Sequence, residues 1–171
     1  EWEPSDVQSW SNLGSAYWYL KKYDSSAMSF ERSLAIDSMD NRVLEMLTFA
    51  HSASGNWPAT RRAVERLSRA RALRTIEWNV WAFSLLSEDE YDRADSILSI
   101  SLTQDPDQRE GYYYRGIISE HRGDTALALE NYERAMTPKP DIDDVYLRAT
   151  KLYQAQRRWA DAFLLTAAAA Q

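Results

Sequence analysis

The sequence predicts an all-α fold in which pairs of helices are stacked in series, and two observations carry this prediction. Five large apolar residues recur every 34 residues, at Trp10, Leu44, Trp78, Tyr112 and Tyr146. Each of them opens a stretch in which further apolar residues follow at helical spacing. A fixed period of this length is typical of a repeat solenoid, because each block buries its apolar face only by stacking on its neighbours.

The first block, residues 7–40, shows the pattern most fully. Its matching residues are Trp10, Leu13, Gly14 and Tyr17, followed by Ala27, Phe30 and Leu34. A glycine inside a helix costs about 1 kcal/mol relative to alanine, so Gly14 is expected where a second helix crosses closely. At this point the chain resembles the tetratricopeptide repeat family, whose opening pattern is W-x2-L-G-x2-Y.

The resemblance extends over nearly the whole chain and implies a right-handed superhelical solenoid of antiparallel helix pairs. The repeats are predicted at 7–40, 41–74, 75–108, 109–142 and 143–171, as one domain. First helices are expected at 7–20, 41–54, 75–88, 109–122 and 143–156, and second helices at 24–37, 58–71, 92–104, 125–136 and 159–170. Pro106 and Pro140 are expected to end the third and fourth repeats, because proline does not continue a helix.

The second repeat departs from the family pattern at three places. Thr48 stands where glycine is expected, His51 stands where tyrosine is expected, and no proline ends the repeat. Without a proline, residues 58–87 could be read as one long helix. The 34-residue period nevertheless requires a break near Leu73–Thr75. Thr75 is predicted to be the N-cap of the helix that follows, because a threonine hydroxyl accepts hydrogen bonds from free backbone N–H groups.

Composition narrows the classes of partner. The net charge of −6 argues against a nucleic-acid partner, for which a basic surface is expected. The sequence contains neither a window apolar enough for a membrane span nor a signal peptide. Because it begins at Glu1 rather than Met, we expect a fragment of a longer protein. The absence of cysteine excludes disulfides, thiolate catalysis and zinc–thiolate sites.

The resemblance implies a partner-binding groove, because in this family the first helices line the concave side. Five places of each repeat point into that groove, and they include Gln8, Ser11, Ser15, Arg42 and Glu45 here. The residues predicted to contact a partner are Trp18, Tyr19, Phe49, Ile76, Asn79, Phe83, Tyr113, Ile117, His121, Leu147 and Lys151. Phe49, Phe83 and Ile117 form an apolar row 34 residues apart, and the alternative interpretation is that this row is core.

Other groups of residues give weaker evidence of a functional site. Six arginines around the second helix of the second repeat predict either a patch for an acidic partner or a solvated convex face; they are Arg61, Arg62, Arg66, Arg69, Arg71 and Arg74. Some family members bind the acidic C-terminal tails of chaperones through a clamp that requires cationic side chains. The corresponding places, starting from the first repeat, hold none; they are Ser11, Ser15, Met46, Ile76 and Val80. The sequence therefore argues against a chaperone-tail adaptor. His51 and His121 lack metal-ligand spacing, and no nucleophile motif is present.

The sequence therefore predicts a protein–protein interaction scaffold that binds a peptide or helical segment with apolar anchors. We expect no catalytic machinery, no metal and no cofactor in this chain. Two alternatives remain open. The groove or the apolar end at Phe163, Leu164 and Leu165 could form a homo-oligomer, since a terminal repeat normally presents a polar face. The chain could also be the targeting arm of an enzyme encoded elsewhere in the full-length protein.

Overall fold

A computed structural model of the chain describes residues 6–136 and 143–169. These residues form ten α-helices and no strand: α1 (Val7–Tyr19), α2 (Tyr23–Ile36), α3 (Asn41–Ala53), α4 (Trp57–Ala70), α5 (Thr75–Leu86), α6 (Tyr91–Gln104), α7 (Arg109–His121), α8 (Thr125–Ala135), α9 (Asp143–Ala155) and α10 (Trp159–Ala169). Every predicted helix is present, and its ends lie within two residues of the predicted ones. The predicted all-α class of antiparallel helix pairs is confirmed.

The chain forms two compact units, Glu1–Ala94 and Asp95–Gln171, with the boundary inside α6. In the first unit α1 packs on α2 and α3 on α4, while α2 contacts α3 and α4 contacts α5. In the second unit α7 packs on α8, α8 on α9 and α9 on α10. The organisation of residues 1–171 as one domain stays a prediction, and Pro140 lies outside the described residues.

Each unit has its own apolar core, drawn from both helices of each pair. In the first unit the most buried members include Phe30, Leu44, Val64 and Leu67. In the second unit they include Ala128, Tyr132, Ala135, Val145 and Ala149. Burying one large aliphatic or aromatic side chain stabilises the folded chain by about 1.5–3 kcal/mol. Such burial, within and between repeats, is the main source of stability in a repeat protein.

Two glycines mark the closest approach of the paired helices. A methyl group on Gly14 would lie 2.6 Å from Cε1 of Phe30, and one on Gly116 would lie 2.2 Å from Cε1 of Tyr132. Carbon atoms in contact lie about 3.5–4.0 Å apart, so any side chain at either place would overlap the ring. The glycines are therefore required by the aromatic rings that the second helices press against them.

In the second repeat, different side chains occupy the two places where the paired helices come closest. Thr48 occupies the place of Gly14, and Val64 occupies the place of Phe30, one period later. Both residues are fully buried, and the Thr48 hydroxyl donates a hydrogen bond to the Leu44 carbonyl at 2.9 Å. A larger residue on the first helix is thus matched by a smaller one on the second. The departure from the family pattern at Thr48 is compatible with the fold for this reason.

The turn inside each helix pair has the same backbone conformation in all five repeats. Lys21, Gly55, Asp89, Gly123 and Arg157 occupy one place of the repeat, and each has a φ between 56° and 76°. The residue after it donates its N–H to the carbonyl of the residue five positions earlier in the chain, as in Lys22 to Tyr17 at 2.9 Å. This is the Schellman arrangement, which satisfies the last carbonyls of a helix. Glycine adopts this φ without strain.

The helix break of the second repeat lies where the period requires it, but the predicted cap is wrong. Arg74, not Thr75, is the N-cap of α5, and Thr75 is the first helical residue. The Glu77 carboxylate accepts the backbone N–H of Arg74 at 2.8 Å. The side chain of Glu77, the third residue of α5, therefore supplies the hydrogen bond at the helix start that was expected from the Thr75 hydroxyl.

We expect Gly14→Thr to lower the free energy of unfolding by about 1–3 kcal/mol, because the new side chain overlaps Phe30. Phe30→Val alone should also destabilise, because it leaves a cavity. The double variant reproduces the pair found at Thr48 and Val64 and should recover part of the loss, with a coupling energy of about 0.5–3 kcal/mol. Urea unfolding followed by circular dichroism measures all three, and purely additive losses would contradict the packing account.

Candidate functional site

A small pocket opens between α1 and α3 in the first unit. Its volume is about 170 Å³, and it is lined by Gln8, Ser11, Asn12, Ser15, Phe30, Arg42, Val43 and Met46. Four of these residues occupy places for which the family resemblance implied a groove: Gln8, Ser11, Ser15 and Arg42. None of the four was among the residues predicted to contact a partner. We refer to this site as the α1–α3 pocket.

The α1–α3 pocket has a polar rim over an apolar floor. Phe30 and Val43 form part of the floor and are nearly fully buried. The hydroxyls of Ser11 and Ser15 donate to the carbonyls of Gln8 and Ser11, each at 3.0 Å. The Ser11 oxygen also accepts from the Gln8 amide at 3.4 Å, which leaves the Ser15 oxygen as an acceptor for a ligand. Arg42 supplies donors, since its guanidinium is largely exposed and its ion pair with Asp40 is long at 3.7 Å.

The apolar row of Phe49, Phe83 and Ile117 is neither sealed nor fully exposed, since all three side chains are half-buried. In the first unit, Phe83 meets Trp57 edge-to-face, with ring centroids 4.9 Å apart. In the second unit, Ile117 packs against the core. Each side chain therefore contributes to packing and also keeps an accessible edge.

The other predicted contacts of the first unit differ in exposure. Tyr19 is 84% exposed at the end of α1, and Ile76 is exposed at the start of α5. Trp18 is half-buried against the core and stacks edge-on with Tyr23. Asn79 is only 8% exposed, so the structure places it largely out of reach of a partner.

In the second unit, His121, Leu147 and Lys151 are exposed, whereas Tyr113 is half-buried. The Tyr113 hydroxyl donates to the Asp144 carboxylate at 2.7 Å. Arg148 binds the same carboxylate at 2.6 Å and reaches Glu120 at 3.2 Å. The hydrogen bond from Tyr113 and the ion pair with Arg148 hold the pKa of Asp144 below its usual range. The polar end of Tyr113 is thus already occupied by the chain's own residues.

A buried carboxylate at the start of α5 was not anticipated from the sequence. The Glu77 side chain is fully buried and forms ion pairs with Arg71 and Arg74. Both arginines also bind Glu45, at 2.9 Å and 2.6 Å. Glu45 is one of the implied groove places, so this network occupies it. The only sequence signal was the three-residue spacing of Arg71, Arg74 and Glu77, which places them around one helix start.

Burial alone would raise the pKa of Glu77, but the hydrogen bonds from Arg71 and Arg74 outweigh it and lower that pKa. Because the pKa is lower in the folded chain, Glu77 binds fewer protons there than in the unfolded chain. Its contribution to stability is therefore present at neutral pH and is lost as the pH falls through the folded pKa.

The six arginines do not form one uncompensated patch. Arg71 and Arg74 belong to the Glu77 network, and Arg61 is paired with Glu88 at 3.0 Å and with Glu90. Arg62, Arg66 and Arg69 are exposed on α4. The structure therefore favours a solvated face with ion pairs over a phosphate site at this place.

The two histidines have separate environments. His51 is buried, and burial lowers its pKa although Glu31, 3.3 Å away, partly offsets the effect. It is neutral at pH 7 and acts as a packing residue. His121 is exposed on α7. Among the described residues, no three His, Cys, Asp or Glu side chains converge as metal ligands would, and no helix combines the length and apolar character of a membrane span.

Comparisons with known proteins agree with this geometry. A family model described as the tetratricopeptide repeat matches residues 7–38. A DnaJ homolog subfamily C member 7 homolog of Dictyostelium discoideum is 23% identical over 157 residues, which is 84% of this chain and 29% of that protein. The chain thus spans less than a third of that relative's length.

Solved structures are similar in fold at low sequence identity. MamA 41-end from Desulfovibrio magneticus RS-1 superposes with a TM-score of 0.83 at 11% identity, covering 97% of this chain and 94% of that one. YrrB, a tetratricopeptide repeat protein with an unusual peptide-binding site, gives a TM-score of 0.72 at 13% identity, covering 96% and 84%. The resemblance to the tetratricopeptide repeat family is confirmed, and the chain has the fold that these solved structures share.

We expect Glu77→Gln to lower the free energy of unfolding by about 2–3 kcal/mol at pH 7, because two arginines lose their buried counter-charge. The wild type should lose stability as the pH falls below about 4, and the variant should show a shallower dependence there. Urea unfolding between pH 3 and pH 7 measures both effects. Glu45→Gln is the matched control, since Glu45 binds the same arginines from a partly exposed position; equal losses in both variants would contradict a special role for Glu77.

Proposed function

We propose that the chain binds an extended peptide segment of another protein along the face formed by α1, α3 and α5. The observation that carries the proposal is the α1–α3 pocket, which lies at the places where the family resemblance implied a groove. The pocket is defined by geometry alone, and the groove places were carried over from the family resemblance without reference to that geometry. Their agreement at Gln8, Ser11, Ser15 and Arg42 supports a ligand-binding face here.

The chemistry of the pocket suits a peptide backbone. Peptide groups present one donor and one acceptor per residue. The hydroxyl oxygen of Ser15 can accept and the Arg42 guanidinium can donate, whereas the Gln8 amide already donates to Asn12 and to the Ser11 hydroxyl. The apolar floor lies beneath these groups, so a side chain of the ligand could bury part of its surface against Phe30 and Val43.

Apolar anchors are supplied by half-buried aromatic residues on the neighbouring first helices. Phe49 and Phe83 each keep an accessible edge, and Phe83 is held in place by its contact with Trp57. A positioned aromatic side chain loses little conformational freedom when it binds, which is why such residues often dominate binding energy.

A peptide ligand can be selected from a displayed random library with the wild-type chain and measured by fluorescence polarisation. Ser15→Phe should fill the α1–α3 pocket, and Phe83→Glu should place a charge at the apolar anchor. We expect each change to weaken binding at least about tenfold, as hot-spot substitutions do. Affinity capture from native lysate with the wild type and Phe83→Glu gives the corresponding test for natural partners.

Arg62→Ala and Arg69→Ala are the matched controls, because both residues are exposed on a second helix. They should bind the peptide within about twofold of the wild type, as surface changes outside an interface do. Circular dichroism must show unchanged helicity in each variant. If Ser15→Phe and Phe83→Glu remain folded and bind as the wild type does, the peptide is bound elsewhere and the proposal fails.

Self-association is a second candidate, favoured by one observation in the second unit. Trp159, Phe163 and Leu164 on α10 are all exposed, Phe163 by 73%. Exposed apolar side chains on one helix are typical of a surface that meets another protein. Light scattering after size exclusion should then show a concentration-dependent homo-oligomer that Phe163→Glu dissociates; a monomer at all concentrations would exclude this candidate.

A further inference from the structure

The last described helix, α10, leaves a stripe of apolar side chains uncovered. Trp159 is 63% exposed and Phe163 is 73% exposed, and Ala167, four residues further on, is exposed as well. Residues four apart lie on the same side of a helix, so the three form one stripe. We refer to this stripe as the α10 face. The other side of the helix packs on the core of the second unit through buried Ala162 and half-buried Leu165.

The places of the α10 face are covered in earlier repeats. Phe163 occupies the place of Ala27 and Leu129, which are both buried. Trp159 occupies the place of Trp57, which is half-buried. The exposure of these side chains is therefore not a general property of their places in the repeat. It is found where, within the described residues, no helix follows α10.

The cover in earlier repeats is the first helix of the next repeat. In the first unit α2 contacts α3 and α4 contacts α5, and in the second unit α8 contacts α9. Leu129 of α8 belongs to the same apolar cluster as Val145 and Ala149 of α9, which are fully buried. Val145 and Ala149 are four residues apart, so one apolar stripe on the next helix is sufficient to cover the place that Leu129 occupies.

Leu164, next to Phe163, is exposed for a different reason. It is 66% exposed, and Met28 at the same place of the first repeat is equally exposed although α3 packs on α2 there. Arg62 and Glu130 occupy this place in two other repeats and are exposed as well. A following helix therefore does not cover this place, and Leu164 is an internal reference for the α10 face.

From this register we infer that the α10 face binds an amphipathic α-helix of another protein, in the place that α9 takes against α8. The helix should present small or branched apolar residues four apart, as Val145 and Ala149 do. It needs no polar group toward the stripe. The Tyr153 hydroxyl of α9 donates to the Glu133 carboxylate of α8 at 2.6 Å, whereas Ala167 occupies the place of Glu133 in α10.

A second copy of the chain fits the α10 face less well. Two such faces packed together would bury the open surface of Trp159 and Phe163, roughly 250 Å² per chain, whereas a stable dimer buries about 800 Å² per partner. The first helix α1 of a second copy carries Ser9 at the place of Val145, and the Ser9 hydroxyl is bonded to Asp6 at 2.7 Å. Self-association is therefore the alternative outcome of the test below.

The probe is a fluorescent peptide with the sequence of residues 143–158, because it carries Val145 and Ala149 on a helix-forming segment of this chain. Fluorescence polarisation with the whole chain should show saturable binding, and NMR of the Trp159 indole N–H should locate it at the α10 face. Phe163→Glu should weaken binding at least about tenfold, as a hot-spot substitution does. A peptide with aspartate in place of both Val145 and Ala149 should not bind.

Leu164→Glu is the matched control, because it places the same charge on the adjacent, similarly exposed residue of α10. It should bind the peptide within about twofold of the wild type, as changes outside an interface do. Circular dichroism should show unchanged helicity in both glutamate variants, since both side chains are exposed. Ser15→Phe should also leave the affinity unchanged, because the inference does not rest on the peptide site proposed for the first unit.

A chain extended after Gln171 by a copy of residues 138–158 gives a second measurement. The extension keeps the 34-residue period, so it offers the helix of the probe at a high effective concentration. The Tm should rise by at least about 3 °C, which corresponds to a modest gain in a chain of this length. Phe163→Glu in the extended chain should remove the rise, and Leu164→Glu should retain it.

Three results overturn the inference. The first is equal weakening by Phe163→Glu and Leu164→Glu, which would place the peptide elsewhere. The second is the absence of saturable peptide binding together with an unchanged Tm of the extended chain. The third is a homo-oligomer in light scattering that Phe163→Glu dissociates and the peptide does not displace, because the α10 face then belongs to a second copy.

Discussion

The fold of this chain depends on how closely the two helices of each pair can approach. At Gly14 and Gly116 the aromatic rings of Phe30 and Tyr132 lie where a side chain of the first helix would otherwise be. Because interiors are packed without spare volume, the size of one residue fixes the size of its partner. This constraint holds the buried side of each first helix against its partner helix and so determines which of its other residues remain accessible to a ligand.

The junction between the second and third repeats has no proline, and a buried ion-pair network fixes the start of the next helix instead. Glu77 receives the backbone N–H of Arg74 and the side chains of Arg71 and Arg74, so the start of α5 is fixed by a buried carboxylate. The same arginines bind Glu45 of α3. The start of the helix that carries Phe83 is therefore held to its neighbour by polar contacts, whose contribution to stability is lost as the pH falls through the lowered pKa of Glu77.

The repeat period was sufficient to predict all ten helices, because it combines local apolar spacing with a register that five blocks share. It was not sufficient for interactions between residues far apart in sequence. The bond from Tyr113 to Asp144 spans 31 residues, and it turned an expected apolar contact into part of a polar network. Thr75 was assigned as a cap because threonine is a common one, whereas Glu77 provides the bond. Asn79 was assigned to the groove by family register and is buried instead.

The accessible face illustrates a second limit of sequence reasoning. The residues chosen as contacts were mainly large and apolar, whereas the α1–α3 pocket has a rim of serine, glutamine, asparagine and arginine. Small polar residues are common on any solvated helix, so nothing in their identity distinguishes a pocket rim from an ordinary surface. The concavity that sets them apart exists only once α1 and α3 are placed side by side.

The left-handed residue that recurs in every turn also constrains how this sequence can change its length. Adding or deleting one amino acid between the helices of a pair would rotate the second helix by about 100° relative to its buried side. Phe30 or Tyr132 would then leave the glycine against which it packs. The turns at Lys21, Asp89 and Arg157 hold a residue other than glycine at this φ, so a side chain fits there at the cost of some backbone strain. Insertions are better accommodated between repeats than within them.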